Sequence, residues 1–175
     1  PNGSGKSTLL KAIAGVLPAQ RGEVLLGGKP IREQASQVAF VPQREEVNWD
    51  FPVTALDVVL MGRYRASGWL RRPGSKDREA ASAALARLGL GGMEGRHISQ
   101  LSGGQQQRIF LARAMVQDPA LVLLDEPFTG LDRNASRQLG SLLEKLAHEG
   151  RLVIASHHDL ATAPRLFDEA LLLKT

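Results

Sequence analysis

Cysteine is absent from the 175 residues. Disulfide frameworks, thiolate zinc sites and cysteine nucleophiles are therefore excluded. Aromatic residues are scarce: two Trp, one Tyr and five Phe. That is too few for a platform on which single-stranded nucleic acid could stack. No apolar run approaches the roughly 18–20 residues that cross a bilayer; the longest, such as Leu121-Val-Leu-Leu, are strand-sized. The opening Pro1-Asn-Gly-Ser-Gly-Lys has no signal-peptide pattern. Excess charge is small, a net +4, and no nucleic-acid partner is expected from it. What remains is ordinary globular composition, 43% apolar and 23% charged, at a length that suits one domain.

The pattern alternates between strand and helix. Leu9, Leu10, Ile13 and Leu17 recur at helical spacing, and Pro18 is the expected stop. Glu23-Val-Leu-Leu reads as a strand before the turn Gly27-Gly28-Lys29-Pro30. Residues 37–41 read as a buried strand ending at Pro42-Gln43. Residues 54–61, 76–88 and 101–115 read as helices, with 62–74 an exposed loop rich in Gly and Arg. Leu121-Val-Leu-Leu and Leu152-Val-Ile-Ala lack polar alternation, as strands covered on both faces do. Residues 135–148 form an amphipathic helix, 160–167 a short helix and 170–173 a last strand. The expected class is α/β, a mainly parallel sheet flanked by helices. A helical insert covers about 54–117, and the core takes about 1–53 and 118–175.

Gly3-Ser4-Gly5-Lys6-Ser7-Thr8 is the second half of a G-x-x-x-x-G-K-[ST] phosphate loop. Glycines let backbone N–H groups turn inward around an anion, and the following helix adds its positive end. Lys6 would reach the β- and γ-phosphates, the Ser7 hydroxyl would ligate Mg²⁺, and Thr8 would donate near the α-phosphate. A Gly/Ser-rich turn that merely caps a helix is the competing reading. The motif's first glycine would lie just before Pro1, so a fragment is expected, truncated at both ends.

Leu121-Val-Leu-Leu-Asp125-Glu126 places two carboxylates at the end of an apolar strand, where open α/β sheets collect their ligands. Asp125 is placed to hold Mg²⁺ and Glu126 to polarise an attacking water, the two needs of phosphoryl transfer. Carboxylates solvated at a strand end are the alternative. Leu101-Ser102-Gly103-Gly104-Gln105-Gln106-Gln107-Arg108 opens a helix with a second anion cradle, or simply with an N-cap. One nucleotide does not need both cradles from one chain.

Together these residues resemble the nucleotide-binding subunit of the ATP-binding-cassette (ABC) transporter family. The order is the family's: a Walker A loop at 1–8 (Asn2, Gly3, Ser4, Gly5, Lys6, Ser7, Thr8), a Q-loop glutamine at Gln43 and the signature at 101–108. Walker B follows at 121–126, a D-loop at Gly130-Leu131-Asp132, and a switch histidine in Ala155-Ser-His-His-Asp-Leu160. The resemblance implies a P-loop fold that binds ATP and Mg²⁺ and hydrolyses ATP. It implies two subunits paired head to tail, each ATP lying between one Walker A and the other's signature. Ser102, Gly103, Gly104 and Gln105 would then serve the partner's ATP, and Asp132 would lie at the interface. Gln43 would touch the metal and the attacking water. The histidine directly before the Asp is the switch, which selects His158 over His157.

Residues 38–65, with Trp49-Asp-Phe-Pro and Met61-Gly-Arg-Tyr64, resemble bacterial manganese, zinc and iron importers; siderophore and cobalamin importers carry a similar Gly-Arg-Tyr. The implied place is the cytoplasmic face of a bacterial membrane, against transmembrane permease subunits, with an extracytoplasmic metal-binding protein as indirect partner. An ABC-type ATPase acting on nucleic acid and a small P-loop kinase are the rivals. The aromatic residue that stacks on adenine, and the N-terminal strands, are expected to be missing. The four histidines have no metal-ligand spacing, so the transported metal is not expected to bind this chain, and His97 and His148 are expected at the surface. Arg63, Arg65, Arg71, Arg72, Lys76 and Arg78 read as a solvated basic loop. Trp49, Phe51, Tyr64 and Trp69 read as core or interface residues, and a groove beside the helical insert would suit a permease helix.

Overall fold

A computed structural model of the chain describes residues 4–19, 21–47, 49–64, 73–159 and 161–173. Asn2, Gly3, Arg65, Arg71, Arg72, Trp69 and Leu160 lie outside the described residues. Strands β1 (Leu25–Leu26) and β2 (Lys29–Pro30) form a small antiparallel hairpin. Strands β3 (Val38–Val41), β4 (Leu121–Leu124) and β5 (Leu152–Ala155) form a parallel sheet with β4 in the middle. The helices are α1 (Lys6–Ile13), α2 (Ala55–Met61), α3 (Ser75–Arg87), α4 (Gly103–Met115), α5 (Arg133–His148) and α6 (Ala163–Leu166). No helix among the described residues is long and apolar enough to cross a membrane.

The central strand explains why its sequence lacks polar alternation. Val122 and Leu124 join Ala39 and Val41 in a large core with α2, α3, α4 and α5. Leu121 and Leu123 face the opposite way, into a smaller cluster with Leu10 of α1 and Ile31. All four β4 residues are buried, each Leu contributing about 1.5–3 kcal/mol of transfer free energy. The other apolar strand, β5, is less covered: Leu152 is 52% exposed, because β5 pairs only with β4 among the described strands.

Three expectations need correction. Helix α1 ends at Ile13, before Pro18. Gly15 adopts φ 72° and lets Val16 N–H bond Lys11 O at 2.9 Å, a left-handed glycine stop that satisfies the last carbonyls. Residues 170–173 form no strand; no described strand runs beside them, and Leu171 and Leu172 are 79% and 68% exposed. An apolar run becomes a strand only where a ladder partner exists. Arg63 is not a solvated loop residue. Its guanidinium donates to Asp77 Oδ1 at 2.9 Å and to Val116 O at 3.3 Å, tying the end of α2 to the starts and ends of its neighbours. Asp77 also accepts from Gly74 N–H at 3.0 Å, capping α3.

The α2, α3 and α4 helices pack on one another, and Gly62 sits at their tightest point. A Cβ there would lie 2.3 Å from Arg113 O and 2.7 Å from Val116 Cγ1. Gly62→Ala is expected to destabilise the protein by about 1–3 kcal/mol through overpacking. Gly95, with open space around it, serves as the control. Urea unfolding midpoints test this; equal midpoints for the two alanine variants would refute the close approach.

Candidate nucleotide site

The register of the parallel sheet builds the site. Val41 pairs with Leu124, and Leu124 with Ala155, so three strands end level at their carboxyl edge. The ladder continues one residue further, with Asp125 N–H bonding Val41 O at 3.0 Å and Ser156 N–H bonding Leu124 O at 2.9 Å. Gln43, Asp125, Glu126 and His158 therefore emerge at one edge from three separate stretches of chain. The 4–8 loop enters from α1, whose N-cap Gly5 takes φ 82°, a conformation that strongly favours glycine. Together the 4–8 loop, Gln43, Glu126, Thr129 and His158 line one cleft of about 550 Å³.

Asp125 is 1% exposed. Its Oδ1 accepts from Ser156 Oγ at 2.6 Å, while Oδ2 is buried with no hydrogen-bond partner among the described residues. A buried carboxylate oxygen left open is costly, and it suits a hard cation. Ser7 and Gln43 add further oxygen donors of the kind Mg²⁺ prefers, so the residues present fit that ion.

Glu126 occupies φ 45°, an uncommon left-handed conformation for a side-chain-bearing residue. It is held there by its own N–H, which donates to Ser156 Oγ at 2.7 Å, and by Thr129 Oγ1, which donates to Glu126 Oε2 at 3.0 Å. Glu126 Oε2 also lies 3.5 Å from His158 Nδ1. Ser156 thus bridges both carboxylate residues, and neither it nor Thr129 is marked by sequence reasoning. A threonine three residues after a glutamate is a weak local signal for the second. No local pattern signals the first, because its partners lie 30 residues away or more.

Of the expected site residues, Ser4, Gly5, Lys6, Ser7, Thr8, Gln43, Glu126 and His158 share the cleft, with Asp125 beside Glu126. Ser102, Gly103, Gly104, Gln105 and Asp132 do not line it. Ser102 caps α4 in a reciprocal pair: Gln105 Oε1 accepts from Ser102 N–H at 2.9 Å, and Ser102 Oγ from Gln105 N–H at 3.4 Å. Its hydroxyl hydrogen remains free to donate elsewhere. Gly104 is a packing necessity, since a Cβ there would stand 2.9 Å from Ala135 Cβ of α5. Asp132 caps α5, its Oδ1 accepting from Asn134 and Ala135 N–H, each at 2.8 Å.

The neighbouring His157 bonds Thr162 Oγ1 at 2.8 Å. Burial, then the charge of His158, pushes its pKa below the ordinary 6.5. A phosphate cradle, a metal-ready oxygen set, a positioned carboxylate and an imidazole in one cleft can bind a nucleoside triphosphate and activate water against it.

The ABC transporter family model matches residues 1–129. The chain is 51% identical to the zinc transport system ATP-binding protein TroB of Treponema pallidum, over 99% of this chain and 65% of that protein. It is 50% identical to the manganese transport system ATP-binding protein MntB of Bacillus subtilis, over 99% of this chain and 69% of that protein. Among solved structures, cbiO1 of Clostridium perfringens, part of the ABC transporter complex cbiONQ, superposes with a TM-score of 0.79 at 28% identity, covering 96% of this chain and 68% of that one. The chain belongs to the ABC transporter family, with the P-loop ATPase fold its α/β pattern indicated. It spans about two thirds of the length of these relatives.

Two measurements test the site. Ser156→Ala leaves Asp125 without its hydrogen-bond donor and should cost about 1–3 kcal/mol; an unchanged urea midpoint would rule out the bridge. For His157, the unfolded imidazole takes protons at 6.5 while the folded one resists. Stability is thus undiminished above pH 6.5 and falls as pH drops through 6.5 toward the lowered value. Urea midpoints at about pH 7.5 and 5.5 should differ less in His157→Gln than in the parent; an equal difference counts against it.

Proposed function

We propose that this chain is the ATP-binding and ATP-hydrolysing part of a bacterial ABC importer for metal ions, manganese first and zinc or iron next. The observation that carries this reading is the single cleft joining Lys6, Gln43, Glu126 and His158; identity of 50–51% to manganese and zinc transport ATP-binding proteins supports the cargo class. In this reading the core takes about 1–53 and 118–175, and the helical subdomain about 54–117.

ATP binds with its phosphates wrapped by the 4–8 backbone and Lys6, at the positive end of α1. Ser7, Gln43 and Asp125 would hold Mg²⁺, which would neutralise phosphate charge there. Glu126 orients the attacking water and draws its proton. The constraint from Ser156 and Thr129 fixes that carboxylate before substrate arrives, which is preorganisation rather than induced fit. His158 donates toward the γ-phosphate, giving ADP and phosphate. The second cradle, at Ser102 and Gly104, serves the ATP of a head-to-tail partner subunit, with Asp132 at the seam. ATP closes the pair, hydrolysis reopens it, and the motion passes to transmembrane permease subunits at the cytoplasmic face. Exposed Phe51, Met61 and Tyr64 offer apolar contact for the permease. An extracytoplasmic metal-binding protein delivers the cargo from the other side.

Glu126→Gln in the full-length protein is expected to keep ATP binding while turnover drops by at least about 100-fold. ATP should then hold the variant as dimers in size-exclusion chromatography. Wild-type turnover in this variant would remove the assignment of Glu126.

A further inference from the structure

Arg44, the residue after Gln43, ties three parts of the chain together. Its Nη2 and Nε donate to Gln106 Oε1 at 2.9 and 3.3 Å. Gln106 is 4% exposed, on α4 one turn after the Ser102 cap. The Gln106 amide also donates to Ile98 O at 2.9 Å, so it clamps the segment leading into the cradle. A Cβ on Gly103 would lie 3.5 Å from the Arg44 guanidinium carbon, and one on Gly130 3.9 Å from its Nη1. The guanidinium therefore lies against both the cradle glycine and the turn before Asp132. Trp49 locks it from behind: its indole N–H donates to Arg44 O at 2.9 Å, and the cation sits 5.6 Å from the ring centre. Trp49 in turn packs edge-on against Phe110 of α4 at 5.1 Å. On the other side, Glu46 pairs with Lys11 of α1 at 2.7 Å, behind the phosphate loop. The short segment 43–47 thus grips the phosphate-loop helix with Glu46 and the signature helix with Arg44.

We propose that Arg44 is a positioning residue that links the ATP site of one subunit to the signature cradle with which that subunit serves its partner. Gln43 points to the subunit's own ATP, whereas Ser102 serves the other, in the paired arrangement proposed above, on which this inference rests. A shift of Gln43 on nucleotide binding moves Arg44, and through Gln106 moves the start of α4. The planar fork suits this task because it holds one amide oxygen with two donors while stacking on an indole.

The test is steady-state ATP hydrolysis by the full-length protein over a range of MgATP concentrations. Arg44→Ala is expected to lower kcat about tenfold, leave the half-saturating ATP concentration within about twofold and bring the Hill coefficient to about 1. Gln106→Ala should act alike, and the double variant should be no worse than either single one. Arg44→Lys, a point charge without the fork, should give an intermediate kcat. Wild-type kcat and cooperativity in Arg44→Ala, or losses that multiply in the double variant, overturn the proposal. Should Arg44→Ala lose ATP binding altogether, Arg44→Lys decides: reduced kcat at unchanged half-saturation supports the link, and unchanged kcat overturns it. A wild-type protein that hydrolyses ATP as a monomer removes the paired-subunit reading and this inference with it, which the wild-type control tells apart from failure of Arg44 alone.

Discussion

Everything at this site depends on three parallel strands ending level. Because Val41, Leu124 and Ala155 share a register, the residues that follow them leave the sheet at one edge. A one-residue slip of β4 would turn Asp125 from the carboxyl edge and exchange the two buried faces of the strand. The register is secured by burial: the faces of β4 fill two different clusters, and neither tolerates a polar exchange. Packing therefore fixes the chemistry, because the core that holds β4 in place also aims its two carboxylates.

The strain at Glu126 belongs to the same logic. A left-handed glutamate persists only where its surroundings over-determine it. Here the N–H is held by Ser156 and the carboxylate by Thr129. Ser156 spends both hydroxyl functions on the strand-end pair, accepting from Glu126 N–H and donating to Asp125. One buried hydroxyl just past the end of β5 thereby couples the orientation of Asp125 to that of Glu126.

The helices α2 to α4 serve a different purpose. They carry the Ser102 cap away from the cleft yet remain attached to it through Arg44 and Gln106. Among the described glycines, Gly62 and Gly104 lie where a neighbour comes too close for any side chain. Such contacts pack the helical layer closely against its neighbours.

Most of the element order was legible along the chain, because β4 is apolar on both faces and the helix after Ser102-Gly-Gly opens with a recognisable cap. Lys6, Asp125 and Glu126 were legible as candidates, since glycine-lysine and strand-end carboxylates carry their chemistry in local spacing, whereas Gln43 came only from the resemblance to the ABC family. The end of α1 at Gly15 and the missing ladder at 170–173 were not. The first turns on a left-handed conformation at Gly15, ahead of the Pro18 that local reasoning takes as the stop, the second on whether another strand lies alongside. The sequence by itself thus determined which groups could bind phosphate and activate water, because those depend on residue type at short range. Only the tertiary structure decided that Ser156 would bridge two carboxylates and that Arg44 would reach Gln106, because hydrogen bonds across 30 to 62 positions exist only once parallel strands and crossing helices have brought distant residues within 3 Å or so.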